Sequence, residues 1–223
     1  MKIKTFVLTP FQQNTRVVSC ESTRQAICID PGEPSQEVVD HIRENDLSLQ
    51  AIVLTHGHLD HIGGTAALAK EFPEAEVLLH EEEMYLYDVL AQQPLAMGFQ
   101  PHQLRAMGME YEPAPKPTRF LEHGEIVEVG TLRFSVRHCP GHTRGHIVLA
   151  EEKQKAVFTG DCLFNGTIGR TDLPGGDFDQ LLESIRTNVL TLGDDFIVYC
   201  GHGPETTVGR ERILNPFVGS ASN

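Results

Sequence analysis

An α+β fold, with two mixed sheets packed together and helices outside, is predicted by three observations on the sequence. Strand-type alternation fills the first 30 residues, strands and helices then alternate to about residue 80, and the second half repeats that style. No linker or shift in composition separates the halves, so residues 1–223 are expected to form one domain.

The elements follow in order. "KIKTFVL", "TRVVSC" and "QAICID" read as consecutive strands, the last closed by Pro31-Gly32. "SQEVVDHIREN" predicts a helix capped by Ser35, with Val38, Val39 and Ile42 on one face. "QAIVLTH" is a continuous apolar run of the kind a fully buried strand shows, "IGGTAALAKEF" predicts a helix, and "AEVLLH" predicts a strand. From about Asp88 to Pro117 the pattern breaks into the proline-rich "QQPLAMGFQPHQLRAMGMEYEPAPKP", read as a long loop with helical fragments, of the kind that serves as a lid or a binding loop. Strands "EIVEVG", "LRFSVRHC", "HIVLAEE" and "KAVFTGD", the helix "FDQLLESIRTNVLTL" and the strand "FIVYC" complete the chain.

Acidic residues number 31 against 18 basic ones, a net charge of −13. Such a field repels phosphate backbones and anionic membranes, so neither nucleic acid nor a membrane is an expected partner. No apolar run approaches the roughly 20 residues of a membrane span. The apolar stretch before Pro10 is shorter than the roughly 7–15-residue core of a secretory signal, which predicts a cytoplasmic protein. The five cysteines are an odd number without a CxxC, which fits neither a disulfide framework nor a thiolate zinc site; they are expected as small buried hydrophobes.

Chemistry concentrates in "THGHLDH", residues 55–61. His56, His58, Asp60 and His61 lie after a buried strand and before a helix, where α/β folds place reactive groups. A single histidine in a polar turn is ordinary, but four ligand-type residues in six positions point to metal binding. Gly57, Gly63 and Gly64 relieve crowding where a backbone wraps a cation. One loop cannot complete two coordination spheres. Three further candidates, His142, Asp161 and His202, each follow an apolar strand and have a glycine immediately before them.

The ordered set "THGHLDH", "PGHTRGH", "TGDCLF" and "CGHGPET" resembles the metallo-β-lactamase superfamily, with its αββα sandwich, and within it the glyoxalase II family of hydroxyacylglutathione hydrolases. The resemblance runs from "ICIDPG" to "GRERILNPF"; "GTIGRTDLPGGD" and "TTVGRERILNPF" look like a short, single-domain subgroup. It implies that His56, His58 and His142 hold one divalent metal ion, that Asp60, His61 and His202 hold a second, and that Asp161 bridges the two. Imidazole and carboxylate ligands suit zinc, iron or manganese, with zinc the leading expectation. The implied reaction is hydrolysis of a glutathione thioester such as S-D-lactoylglutathione, by a hydroxide held between the metals and oriented by Asp60 and Asp161. The chain is similar also, in "GRTD", to persulfide dioxygenases, which use one iron; a dioxygenase and a hydrolase of other thioesters or lactones stand as the alternatives. β-Lactamases of the best-known two-zinc group carry cysteine where Asp161 stands; Cys162 is its neighbour, but adjacent side chains at a strand end diverge, so Cys162 is assigned to packing.

The long glyoxalase II enzymes carry a helical carboxyl-terminal domain with basic glutathione contacts, which the resemblance does not supply here. Arg144 and Arg170, which flank ligand loops, are candidate substitutes for binding the substrate. His146 is excluded as a ligand, and Asp30 is expected to orient a ligand imidazole.

Overall fold

The computed structural model describes residues 1–107, 109 and 111–220. Gly108 and Glu110 of the expected loop, and the last three residues of the expected domain, lie outside the described residues. The chain forms two compact units, one of Met1–Phe120 with Val129–Thr131, the other of Leu121–Glu128 with Leu132–Asn223.

In the first unit six strands, β1 (Lys2–Leu8), β2 (Gln13–Ser19), β3 (Gln25–Ile29), β4 (Ser48–Val53), β5 (Glu76–Leu79) and β6 (Arg119–Phe120), pair in sequence order. β1, β2 and β3 run antiparallel, while β3 to β6 are parallel neighbours, so the sheet is mixed. α1 (Gln36–Glu44) crosses from β3 to β4. Ser35 caps it by accepting from the Val38 amide at 3.4 Å, and its buried face is Val38, Val39 and Ile42, as the spacing predicts. These residues share a core with Val17, Cys28, Ile52, Leu54, Ile62 and Leu68. Burial of a side chain such as Ile42 contributes roughly 2–3 kcal/mol.

β2 departs from the expected alternation, for every residue of it is buried, including Gln13, Asn14, Thr15 and Arg16. It is an interior strand with both edges hydrogen-bonded, to β1 and β3, and both of its faces are covered as well. Its polar residues do local work. Thr15 Oγ1 donates to the Asp30 carbonyl at 2.7 Å, and the Gly32 amide donates to Thr15 Oγ1 at 3.1 Å, fixing the turn that carries Asp30.

Another mixed sheet of six strands, within the second unit but for Val129, has the order β14 (Thr206–Thr207), β13 (Ile197–Cys200), β10 (Ala156–Gly160), β9 (Ile147–Glu151), β8 (Leu132–His138) and β7 (Ile126–Val129). β10 and β13 are parallel; β8, β9 and β10 are antiparallel. A separate hairpin joins β11 (Leu163–Phe164) to β12 (Thr167–Ile168).

α7 (Phe178–Asn188) is capped by Asp177 and stops short of the expected Leu192. Val189, Leu190 and Leu192 instead turn into the core with Leu181, Ile185 and Val198, and Arg212 Nε satisfies the Leu190 carbonyl at 3.1 Å. That arginine lies on α8 (Val208–Leu214), which the periodicity does not predict.

The stretch from Asp88 to Pro117 contains the expected helical fragments, among them α5 (Gln93–Ala96) and α6 (Pro101–Met107). They follow α2 (Leu59–Ile62), α3 (Thr65–Glu71) and α4 (Met84–Tyr87) in chain order. Among the described residues no helix is long and apolar enough to cross a membrane.

Candidate metal centre

The first unit presents its four ligand candidates on one short path from β4. His56 follows the strand, His58 is the N-cap of α2, and Asp60 and His61 lie in that helix's first turns. The rings of His56 and His58 stand 4.8 Å apart and nearly perpendicular, those of His56 and His61 are 4.1 Å apart, and His61 Nε2 lies 4.0 Å from Asp60 Oδ2.

Oxygen acceptors fix which imidazole nitrogen faces this cluster. Asp30 Oδ2 is 2.9 Å from His61 Nδ1, the orienting role expected of Asp30. The Thr55 hydroxyl donates its one hydrogen to Asp30 Oδ2 at 2.7 Å, so its lone pair takes the His56 Nδ1 hydrogen at 3.0 Å. Both rings are thereby held with Nε2 as the lone-pair atom, the form a metal ligand needs.

The second unit brings its own three candidates together. His142 follows β8, Asp161 follows β10 and His202 follows β13, each at a strand's carboxyl end. Asp161 Oδ2 lies 3.8 Å from His142 Nε2 and 3.5 Å from His202 Nε2, between the two imidazoles. His142 Nδ1 is 2.7 Å from the Arg170 carbonyl, which again leaves Nε2 for a ligand. The Asp161 amide donates to His146 Nε2 at 3.1 Å, so His146 holds the backbone of a ligand candidate and is not itself aimed as one.

Imidazoles fixed in the Nε2 form beside carboxylates are a donor set that fits divalent cations. Thiolates take no part. All five cysteines are buried without disulfides, and burial, with Cys139 beside it, pushes the Cys162 thiol up, consistent with packing.

The arginines behave differently from the histidines. Arg144 and Arg170 are both exposed. The Arg170 guanidinium forms a two-point pair with Asp172, at 2.7 and 2.8 Å, which holds the Asp172 carboxyl down to about 2. Thr55, the Arg170 carbonyl, Glu83 and Gln93 are functional groups that the sequence reading passes over. The last two contact the backbone of the histidine loop.

The model of the metallo-β-lactamase superfamily matches residues 8–202. The chain belongs to this superfamily. Hydroxyacylglutathione hydrolase GloC of Haemophilus influenzae is 40% identical over 223 residues, covering all of both chains. Among solved structures, BLEG-1 B3 metallo-β-lactamase superposes with a TM-score of 0.83 at 35% identity, over 97% of this chain and 99% of that one. TTHA1623 in a di-iron-bound form gives 0.82 at 36% identity, over 96% and 99%. The fold is therefore that of the metallo-β-lactamase superfamily, as the motifs imply. With its clustered histidines and aspartates, this superfamily member is a metal-dependent hydrolase whose donors suit a two-metal site.

Proposed function

We propose that this chain hydrolyses thioesters of glutathione, S-D-lactoylglutathione or a related hydroxyacylglutathione. The observation that carries the reading is the 40% identity to hydroxyacylglutathione hydrolase GloC over the whole of both chains. The seven-ligand donor set supports it.

In this reading His56, His58 and His142 hold one divalent cation, Asp60, His61 and His202 hold the other, and Asp161 serves both, within a single functional domain. Zinc leads, and iron and manganese suit the same donors. Two such cations supply activation of water near pH ~7 and polarisation of a carbonyl. Asp60 and Asp161 orient the attacking oxygen as hydrogen-bond acceptors. Asp30, directly and through Thr55, keeps His61 and His56 from rotating as charge develops. The leaving thiol has a pKa of about 8.5, so the chain needs no general acid beside the sulfur. Arg144 and Arg170 provide the positive charge for a substrate carboxylate.

The likeness to BLEG-1 favours a second reading, opening of a β-lactam ring. Thiol release from S-D-lactoylglutathione by metal-reconstituted protein tests the first reading, with Asp161→Ala as control. A chromogenic cephalosporin and oxygen uptake with glutathione persulfide serve as the competing assays. Asp161-dependent thiol release, faster than either competing reaction, is expected. Faster cephalosporin opening or oxygen uptake would replace the thioesterase reading.

A further inference from the structure

Two buried side chains outside the histidine motif grip its backbone. Gly57, between His56 and His58, donates its amide to Glu83 Oε2 at 2.6 Å, and its carbonyl accepts from Gln93 Nε2 at 2.7 Å. Gln93 Oε1 accepts from the Leu59 amide at 3.0 Å, and its second hydrogen goes to the Leu86 carbonyl at 3.0 Å. The peptide groups on both sides of His58 are thus fixed by side chains that lie 26 to 36 residues further along the chain. The approach is close. A Cβ at position 57 would meet Leu86 Cβ at 2.8 Å and Glu83 Oε2 at 3.1 Å, so only glycine lets the loop lie against this segment.

We infer that Glu83 and Gln93 are positioning residues for the metal-binding loop, setting the separation at which His56 and His58 present their imidazoles. The inference rests on the proposed metal site. In these contacts Glu83 acts through the amide of residue 57, and Gln93 through the Gly57 carbonyl and the Leu59 amide. A carboxylate and an amide buried this fully lose their hydration, and the loop peptide groups at 57 and 59 compensate part of that loss. A loop held in place before the cation arrives loses little conformational freedom on binding, whereas a loose HxH turn must be ordered by the metal itself.

The test measures zinc affinity by competition with a chromophoric chelator, for the wild-type chain and for Glu83→Leu, Gln93→Leu and Glu83→Gln. Glu83→Gln keeps an oxygen for the Gly57 amide and is the conservative control. Both leucine variants are expected to bind zinc 10- to 100-fold more weakly, the usual loss for groups that support ligands, with Glu83→Gln much closer to wild type. Amide exchange in metal-free wild-type protein gives a second readout that needs no variant to fold: Gly57 and Leu59 are expected to be protected before metal is added. Unchanged zinc affinity in both leucine variants, or unprotected Gly57 and Leu59 amides, would overturn the inference and leave the hydrolase reading intact. A wild-type chain that binds no zinc, iron or manganese would overturn both.

Discussion

Asp30 Oδ2 sits 2.9 Å from His61 Nδ1 and 2.7 Å from the Thr55 hydroxyl, which is itself 3.0 Å from His56 Nδ1, so one buried carboxylate orients two imidazoles. Its Oδ1 also accepts from the Thr55 amide at 2.7 Å. Asp30→Ala removes the acceptor of three buried donors. The expected cost is about 3 kcal/mol of stability in urea unfolding, together with a roughly 10- to 100-fold loss of metal affinity. Asp30→Asn tolerates the left-handed backbone at this position, where φ is 51°, and keeps one acceptor, so it should lose less stability. Equal losses in the two variants would argue against the hydrogen bonds as the cause.

Gly201 packs against the Asp161 carboxylate. A Cβ there would lie 2.2 Å from Asp161 Oδ1 and 2.9 Å from the Gly160 backbone. Gly201→Ala should therefore displace the carboxylate assigned to both cations. Metal analysis after dialysis is expected to show fewer than two equivalents per chain, with the circular dichroism of the fold retained. Full occupancy in a folded variant would remove Asp161 from the site.

The basic candidates make a kinetic prediction. Arg170→Ala leaves Asp172 without its exposed partner, an interaction worth little to stability, so the melting temperature should stay unchanged. Loss of charge for a substrate carboxylate should raise KM several-fold with kcat nearly constant. A fall in kcat alone would point to the main chain of Arg170, whose carbonyl orients His142.

Glu211 gives a pH prediction. Burial alone would raise its pKa, but hydrogen bonds from Thr206, Asn215, the Gly166 amide and Arg210 outweigh it and hold the carboxyl below the usual range. A depressed folded pKa means that the unfolded chain binds the proton first. The stabilisation is complete above the unfolded value of about 4.3 and fades as the pH falls through the folded one. Glu211→Gln should cost about 2 kcal/mol at neutral pH, and the gap to wild type should narrow toward pH ~3. Parallel stability curves would refute it.

The legible parts of the fold are those with a clean period and a cap, such as α1 with Ser35 and the buried β4. α8 escaped because Glu211, mid-helix, is buried through hydrogen bonds rather than apolar contact, so it leaves no apolar stripe. The two-residue strands at 119–120, 163–164, 167–168 and 206–207 are too short for any period to register. At the site, the ligand candidates were legible because residue type, preceding glycine and strand ending coincide. Asp30 was legible through its "IDPG" turn. Glu83 and Gln93 were not, since they act through peptide groups from positions whose sequence neighbourhood carries no metal-binding pattern, and Thr55, although it opens the histidine motif, acts through a hydroxyl that is not a metal-ligand type in that pattern. Arg170 illustrates the same limit: its carbonyl, which any residue possesses, is the group against His142.

Titrating metal-free protein with zinc while following thiol release from S-D-lactoylglutathione tests the two-metal thioesterase most directly. The rate is expected to climb until two equivalents per chain are bound and to stay at background in Asp161→Ala. Background release at two bound equivalents, or full activity at one, would contradict it.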